Sequence, residues 1–127
     1  MENIAKGNFA SWASAVRDKD IERIVSLYAQ DATFLPTLSA EFKLGPSGAR
    51  EYFRIFLKNN PVGKIIDDAV QELGENSYLH SGFYDFEMDN EAGTARIVAR
   101  ARFTLVWKRE PTGDWKIIHH HSSLMPD

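Results

Sequence analysis

The chain has 127 residues, 43% of them hydrophobic and 26% charged, with a formal net charge of −3. That length bounds one domain, residues 1–127, with a core of its own. The slight acidity gives no electrostatic reason to expect nucleic acid or an anionic membrane as partner, and the lack of cysteine removes disulfides, thiolate nucleophiles and Cys-ligated zinc.

The first residues, MENIAKGNFASWASAV, lack a basic segment followed by an apolar core, so no signal peptide is expected. No apolar run approaches the roughly 20 residues of a membrane span, and a cytoplasmic protein is the default. Ile4, Phe9, Trp12, Ala13 and Val16 fall at helical spacing and predict a helix from Asn3 to about Lys19. Asp20 can cap a second, short helix carrying Ile21, Ile24, Val25 and Tyr28 on one side. Asp31–Leu35 reads as a strand stopped at Pro36, and Phe42–Leu44 as one more short strand. Pro46 and Ser47 open a third helix, Ala49 to about Asn59, with Tyr52, Phe53, Phe56 and Leu57 apolar.

After Gly63 the period changes. Lys64–Leu73, Tyr78–Met88, Thr94–Arg109 and a last strand from Trp115, ended by Pro126, are joined by hairpin-length links and predict an antiparallel meander. Helices followed by strands give the α+β class, with three N-terminal helices packed on one face of the sheet. In the long third strand, Ile97, Ala99, Ala101, Phe103, Leu105 and Trp107 should face the helices. Arg96, Val98, Arg100, Arg102, Thr104 and Val106 should face outward, a solvated or subunit-covered side.

The last strand carries all but one of the histidines. Strict alternation places Ile118, His120 and Ser122 on one face and Ile117, His119 and His121 on the other. His119 and His121 could face one zinc, copper or nickel ion. No carboxylate or cysteine is spaced to complete such a site, so no metal is expected, and the two are read as hydrogen-bonded on the outer face or in an interface. There is no Gly-rich phosphate loop or dinucleotide fingerprint, and no cofactor is expected. Helices leave part of a curved sheet's inner face uncovered. A ligand pocket is expected there, lined by Trp12, Tyr28, Phe56, Phe83, Phe103, Leu105 and Ile118, with His120 and Ser122 as polar groups. If Phe83 points inward, Asp85 does too, and a carboxylate beside His120 suits acid–base work. A shift of one residue in Tyr78–Met88 would instead bring in Tyr84 and Phe86 and put Asp85 outside.

The order of elements, Asp-Ala-Thr at 31–33, Val-Trp-Lys-Arg at 106–109, Trp115, His119-x-His121 and Pro126 together resemble the nuclear-transport-factor-2-like (SnoaL-like) superfamily. The C-terminal part is most similar to the association domain of calcium/calmodulin-dependent protein kinase II and its kinase-free relatives. The resemblance covers nearly the whole chain. It implies a cone-shaped α+β roll, three helices on a strongly bent antiparallel sheet with an internal pocket, assembled as a homodimer or a larger ring. The association domain's pocket arginines fall on Phe83, Leu105 and Ser122, so an anion site does not carry over. The aspartate of the superfamily's steroid isomerases falls on Pro36, which has no proton-accepting group. Two functions stay open. The favoured one is a stand-alone, self-associating domain that binds a small molecule and has no kinase activity. The other is a cofactor-free isomerase, cyclase or hydratase using His120 with Asp85.

Overall fold

Three helices and six strands form among the described residues, 1–126, of a computed structural model. Helix α1 (Glu2–Arg17) buries Ala5, Phe9, Trp12, Ala15 and Val16, a stripe at three- and four-residue intervals. Helix α2 (Ile21–Ser26) starts where the Asp20 carboxylate accepts the Arg23 backbone N–H at 3.2 Å. Strand β1 (Tyr28–Leu35) and the two-residue β2 (Lys43–Leu44) follow. Helix α3 (Gly45–Phe56) begins one residue before Pro46. Gly45 has φ +64°, and a Cβ there would stand 2.9 Å from the Gln30 carbonyl oxygen, so glycine is required at this joint. A 3-10 turn, Leu57–Asn59, leads out of α3.

Strands β3 (Val62–Gly74), β4 (Ser77–Asp89), β5 (Arg96–Arg109) and β6 (Trp115–Leu124) form the expected antiparallel meander. The sheet order is β2-β1-β6-β5-β4-β3. One pairing departs from a purely antiparallel sheet: β1 lies parallel to β6, opened by the Ile117 N–H bonding to the Leu27 carbonyl at 2.7 Å. No turn links these strands, so no local signal announces the pair.

The sheet curls because its ladders slip. The β3–β4 register shifts between Ile65 and Asp67, beside Gly82, and a bulge bends its strand. A Cβ on Gly82 would lie 2.0 Å from the Asp67 carbonyl oxygen, so only glycine lets β3 close over β4 there. The helices pack into the resulting concavity. Trp12, Tyr78, Tyr84, Trp107 and Ile117 are almost fully buried between helices and sheet. This is the three-helix, curled-sheet α+β cone expected from the sequence. Among the described residues no helix is long and apolar enough to cross a membrane.

Candidate functional site

The inner faces of β4, β5 and β6 meet α1 and α3 around a cleft. Trp12 enters from α1, Tyr52, Phe53 and Phe56 from α3, and Tyr84, Phe86, Ala101, His120 and Ser122 from the sheet. Thr37 and Leu38, in the connection after β1, stand at the cleft too. The side chains nearly fill it, leaving a void of about 20 Å³, room for one water molecule. Among the described residues no lysine, arginine, aspartate or glutamate borders it.

A line of hydrogen bonds crosses the cleft wall. The Trp12 indole N–H donates to Tyr28 Oη at 3.2 Å. Tyr28 Oη lies 2.9 Å from His120 Nδ1, and Tyr84 Oη lies 3.1 Å from His120 Nε2. Tyr84 donates in turn to Ser122 Oγ at 2.6 Å, and Ser122 is hydrogen-bonded to Thr37. The His120 ring is 2% exposed and stacks on Phe34 with centroids 4.7 Å apart. Burial of the charged form, with the neighbouring His119 and His121 adding to it, pulls the His120 pKa down to about 3. The imidazole is therefore neutral at pH 7. Burial also pushes the Tyr28 and Tyr84 hydroxyls well above their ordinary range, so both keep their protons.

The expected pocket residues separate into three groups. Trp12, Phe56, His120 and Ser122 border the cleft. Tyr28 backs His120, and Phe103 stacks beneath Tyr84 with centroids 4.6 Å apart; both are buried. Leu105 is fully buried opposite His120 on β5 but does not reach the cleft. Phe83 and Asp85 are on the wrong side. Phe83 is 37% exposed, and Asp85 forms two hydrogen bonds with Arg100, at 2.8 and 3.1 Å, on the outer face. That guanidinium holds the Asp85 carboxyl below the usual range. The registration offered as the alternative is the observed one: Tyr84 and Phe86 point inward. The His120–Asp85 pair accordingly does not form.

Ile118 is also displaced, for a different reason. Val106 pairs with His119 but the next residue, Trp107, pairs with Ile117, so Ile118 is an extra residue in a bulge. The bulge resets the alternation: Ile117 and His120 both face inward, while Ile118 is only half-buried. Outside, His119 Nδ1 lies 2.7 Å from the Thr33 hydroxyl and His121 is exposed.

Tyr84 and Thr37 are the polar members of the hydrogen-bond line missing from the expected pocket. For Tyr84 a signal existed. The even positions Tyr78, Tyr84, Phe86 and Met88 are apolar, and the odd positions Asp85, Glu87 and Asp89 are charged, a period-2 count that favours even-inward. Thr37 lies in an irregular connection, where no periodicity exists to read. The remaining histidine, His80, is buried on the same face of β4, with Nε2 2.7 Å from Asp68.

Residues 3–126 match the family model of the calcium/calmodulin dependent protein kinase II association domain. Among solved structures, a protein classed as such an association domain, from Xanthomonas campestris, superposes with a TM-score of 0.94 at 31% identity, covering 100% of this chain and 89% of that one. A ketosteroid isomerase-like protein from Erwinia carotovora atroseptica (TM-score 0.79, 13% identity, 96% and 94% covered) shares the fold. So does a hexachlorocyclohexane dehydrochlorinase from Novosphingobium barchaimii (TM-score 0.78, 14% identity, 98% and 89% covered). A comparison with curated proteins finds no match. The chain belongs to the calcium/calmodulin dependent protein kinase II association-domain family.

Proposed function

We propose that this chain is a self-associating domain that binds a small, uncharged, largely apolar molecule in the cleft around His120, without kinase activity. The observation that carries the binding half is the character of the cleft: aromatic walls, no charged side chain among the described residues, and a histidine whose two nitrogens both meet hydroxyls. Holding about one water molecule when closed, the cleft takes a ring only if the Thr37–Leu38 connection moves outward, and it then fixes the ligand by shape and a few directed hydrogen bonds. Proton transfer is less well supported, because a catalytic base needs a nitrogen poised near the working pH, and burial holds His120 neutral far below it.

Self-association is supported by the family and by the sheet's outer face. Val98 is 63% exposed there and Phe83 37%, interspersed with the Asp85–Arg100 and Asp89–Arg96 pairs. Two-fold packing of one such face on a second copy would cover it. Light scattering at micromolar concentration should return a multiple of 14.4 kDa; a monomer would end this half of the proposal. Val106→Glu should weaken the assembly, since it buries an unpaired charge. For the cleft, a thermal-shift screen of neutral ring compounds should raise the melting temperature, because a ligand of the native state stabilises it. Benzoate, equally small but charged, should not.

A further inference from the structure

We propose that the hydrogen-bond line in the cleft runs in one direction, from the Trp12 indole to the Ser122 hydroxyl, and that it selects uncharged ring compounds bearing a hydrogen-bond acceptor, a carbonyl oxygen, over those bearing a donor. The ligand class rests on the cleft being a binding site; the direction does not.

The direction follows from counting protons. An indole nitrogen only donates, so the Tyr28 oxygen must accept at the Trp12 end. The one hydroxyl proton of Tyr28 then has His120 Nδ1 as its acceptor. A neutral imidazole carries one N–H and one lone pair, so the ring proton sits on Nε2 and is donated to the Tyr84 oxygen. Tyr84 donates its proton to Ser122, and Ser122 keeps its own proton beside the Thr37 hydroxyl. Reversing any link between Tyr28 and Ser122 leaves a buried hydroxyl hydrogen without an acceptor, which costs the full desolvation of that group. The indole cannot turn away to relieve this. Trp12 is 1% exposed and lies parallel to Tyr84 within 4°, with centroids 6.2 Å apart.

The cleft therefore presents an O–H at Ser122, with the Thr37 hydroxyl next to it. Thr37 belongs to the connection between β1 and β2, so a ligand oxygen can take its place by moving a loop residue rather than a core strand. A carboxylate would also accept, but among the described residues no cation borders the cleft to compensate its buried charge. A ketone, ester or amide carbonyl on an apolar ring meets both conditions.

The test uses the full chain and three bicyclic probes of similar size: 1-indanone (acceptor), indane (neither) and indole (donor). Nitrogen NMR of histidine-labelled protein at pH 7, with no probe added, should show the His120 proton on Nε2. Calorimetric titration should then show 1-indanone binding about tenfold more tightly than indole, roughly the worth of one net hydrogen bond. Ser122→Ala should erase that gap, and Thr37→Val, which removes the competing acceptor, should widen it. A proton on Nδ1, indole binding as tightly as 1-indanone, or a gap that survives in Ser122→Ala would each overturn the proposal while leaving the cleft a binding site. If Ser122→Ala does not fold, a gap that narrows in Thr37→Val has the same force. Failure of all three probes to bind would instead remove the cleft as a binding site, and the ligand class with it.

Discussion

The two faces of β4 solve the problem of polar groups in opposite ways. Its even side chains look inward, where Tyr84 hands a neutral hydroxyl between His120 and Ser122 with almost no solvent contact. Its odd side chains look outward, where Asp85 keeps its charge and meets the half-exposed guanidinium of Arg100. Inside, burial shuts out bulk water, so only groups that match donor to acceptor without ionising are tolerated. Outside, water screens full charges, and an ion pair contributes little either way. One residue of register separates the two regimes. The function proposed here belongs to the inner one for ligand and to the outer one for assembly.

The largest contrast should appear between adjacent residues. Tyr84→Ala removes a ring packed against Trp12, Phe86 and Phe103 and leaves His120 Nε2 without its hydroxyl partner. A loss of about 3–5 kcal/mol is expected, the range for deleting a buried aromatic side chain. Phe83→Ala should cost the folded subunit far less, within about 0.5 kcal/mol of neutral if the outer face stays open to water, and should register in the assembly instead. Urea unfolding for the first and light scattering for the second would check this. Equal destabilisation by the two would mean the register of β4 is not the one described.

How much of this was legible in the sequence depends on whether a regular period was at work. The helical stripe of Phe9, Trp12 and Val16, the capping Asp20 and the alternation of β5 were all readable because each obeys a single local rule. Alternation puts His120 and Ser122 on one face, and both are buried there. Ile118 was not, because the bulge between Val106 and Trp107 inserts one residue, and nothing in Ile-Ile-His-His-His marks which residue is extra. The parallel pairing of β1 with β6 joins residues about ninety positions apart without a turn between them. The partner of His120 was misjudged by starting the count at Phe83, a large apolar residue on a mostly charged outer face. Tyr28 and Thr37 meet this strand only through tertiary structure, which no window of sequence contains.

A second expected effect comes from pH and sharpens the same contrast. His120 has a folded pKa of about 3 against an ordinary value of 6.5. Between those values the unfolded chain binds a proton that the folded chain does not, so stability falls as pH falls through this window. The loss is about 1.4 kcal/mol per pH unit from this group. His119, also held below its ordinary value by burial and by His121, adds in the same direction. The outer carboxylates with lowered pKa, Asp85 and Asp89 among them, begin to contribute only near and below their ordinary values close to 4. Chemical unfolding from pH 7 to pH 5, at fixed protein concentration so that assembly does not enter, should therefore isolate the histidines. His120→Gln should flatten the slope; an unchanged slope in that variant would show that His120 titrates freely in the fold.

The smallest effect should come from Asp85→Asn. The substitution keeps the side chain's shape, removes its charge, and leaves Arg100 free to turn into water, since its side chain is 48% exposed. Exposed pairs of this kind are screened by salt and lose most of their attraction to solvation, so the melting temperature should be nearly unchanged and any small drop should vanish in high salt. The variant also decides between two pictures of His120. A carboxylate oriented toward that ring would set its tautomer, and removing its charge would move the imidazole proton and alter binding in the cleft. With Asp85 on the far side of the sheet, the nitrogen spectrum of His120 and the affinity for 1-indanone should both match the parent protein. A displaced His120 proton in Asp85→Asn would restore the acid–base pairing that the geometry of β4 denies.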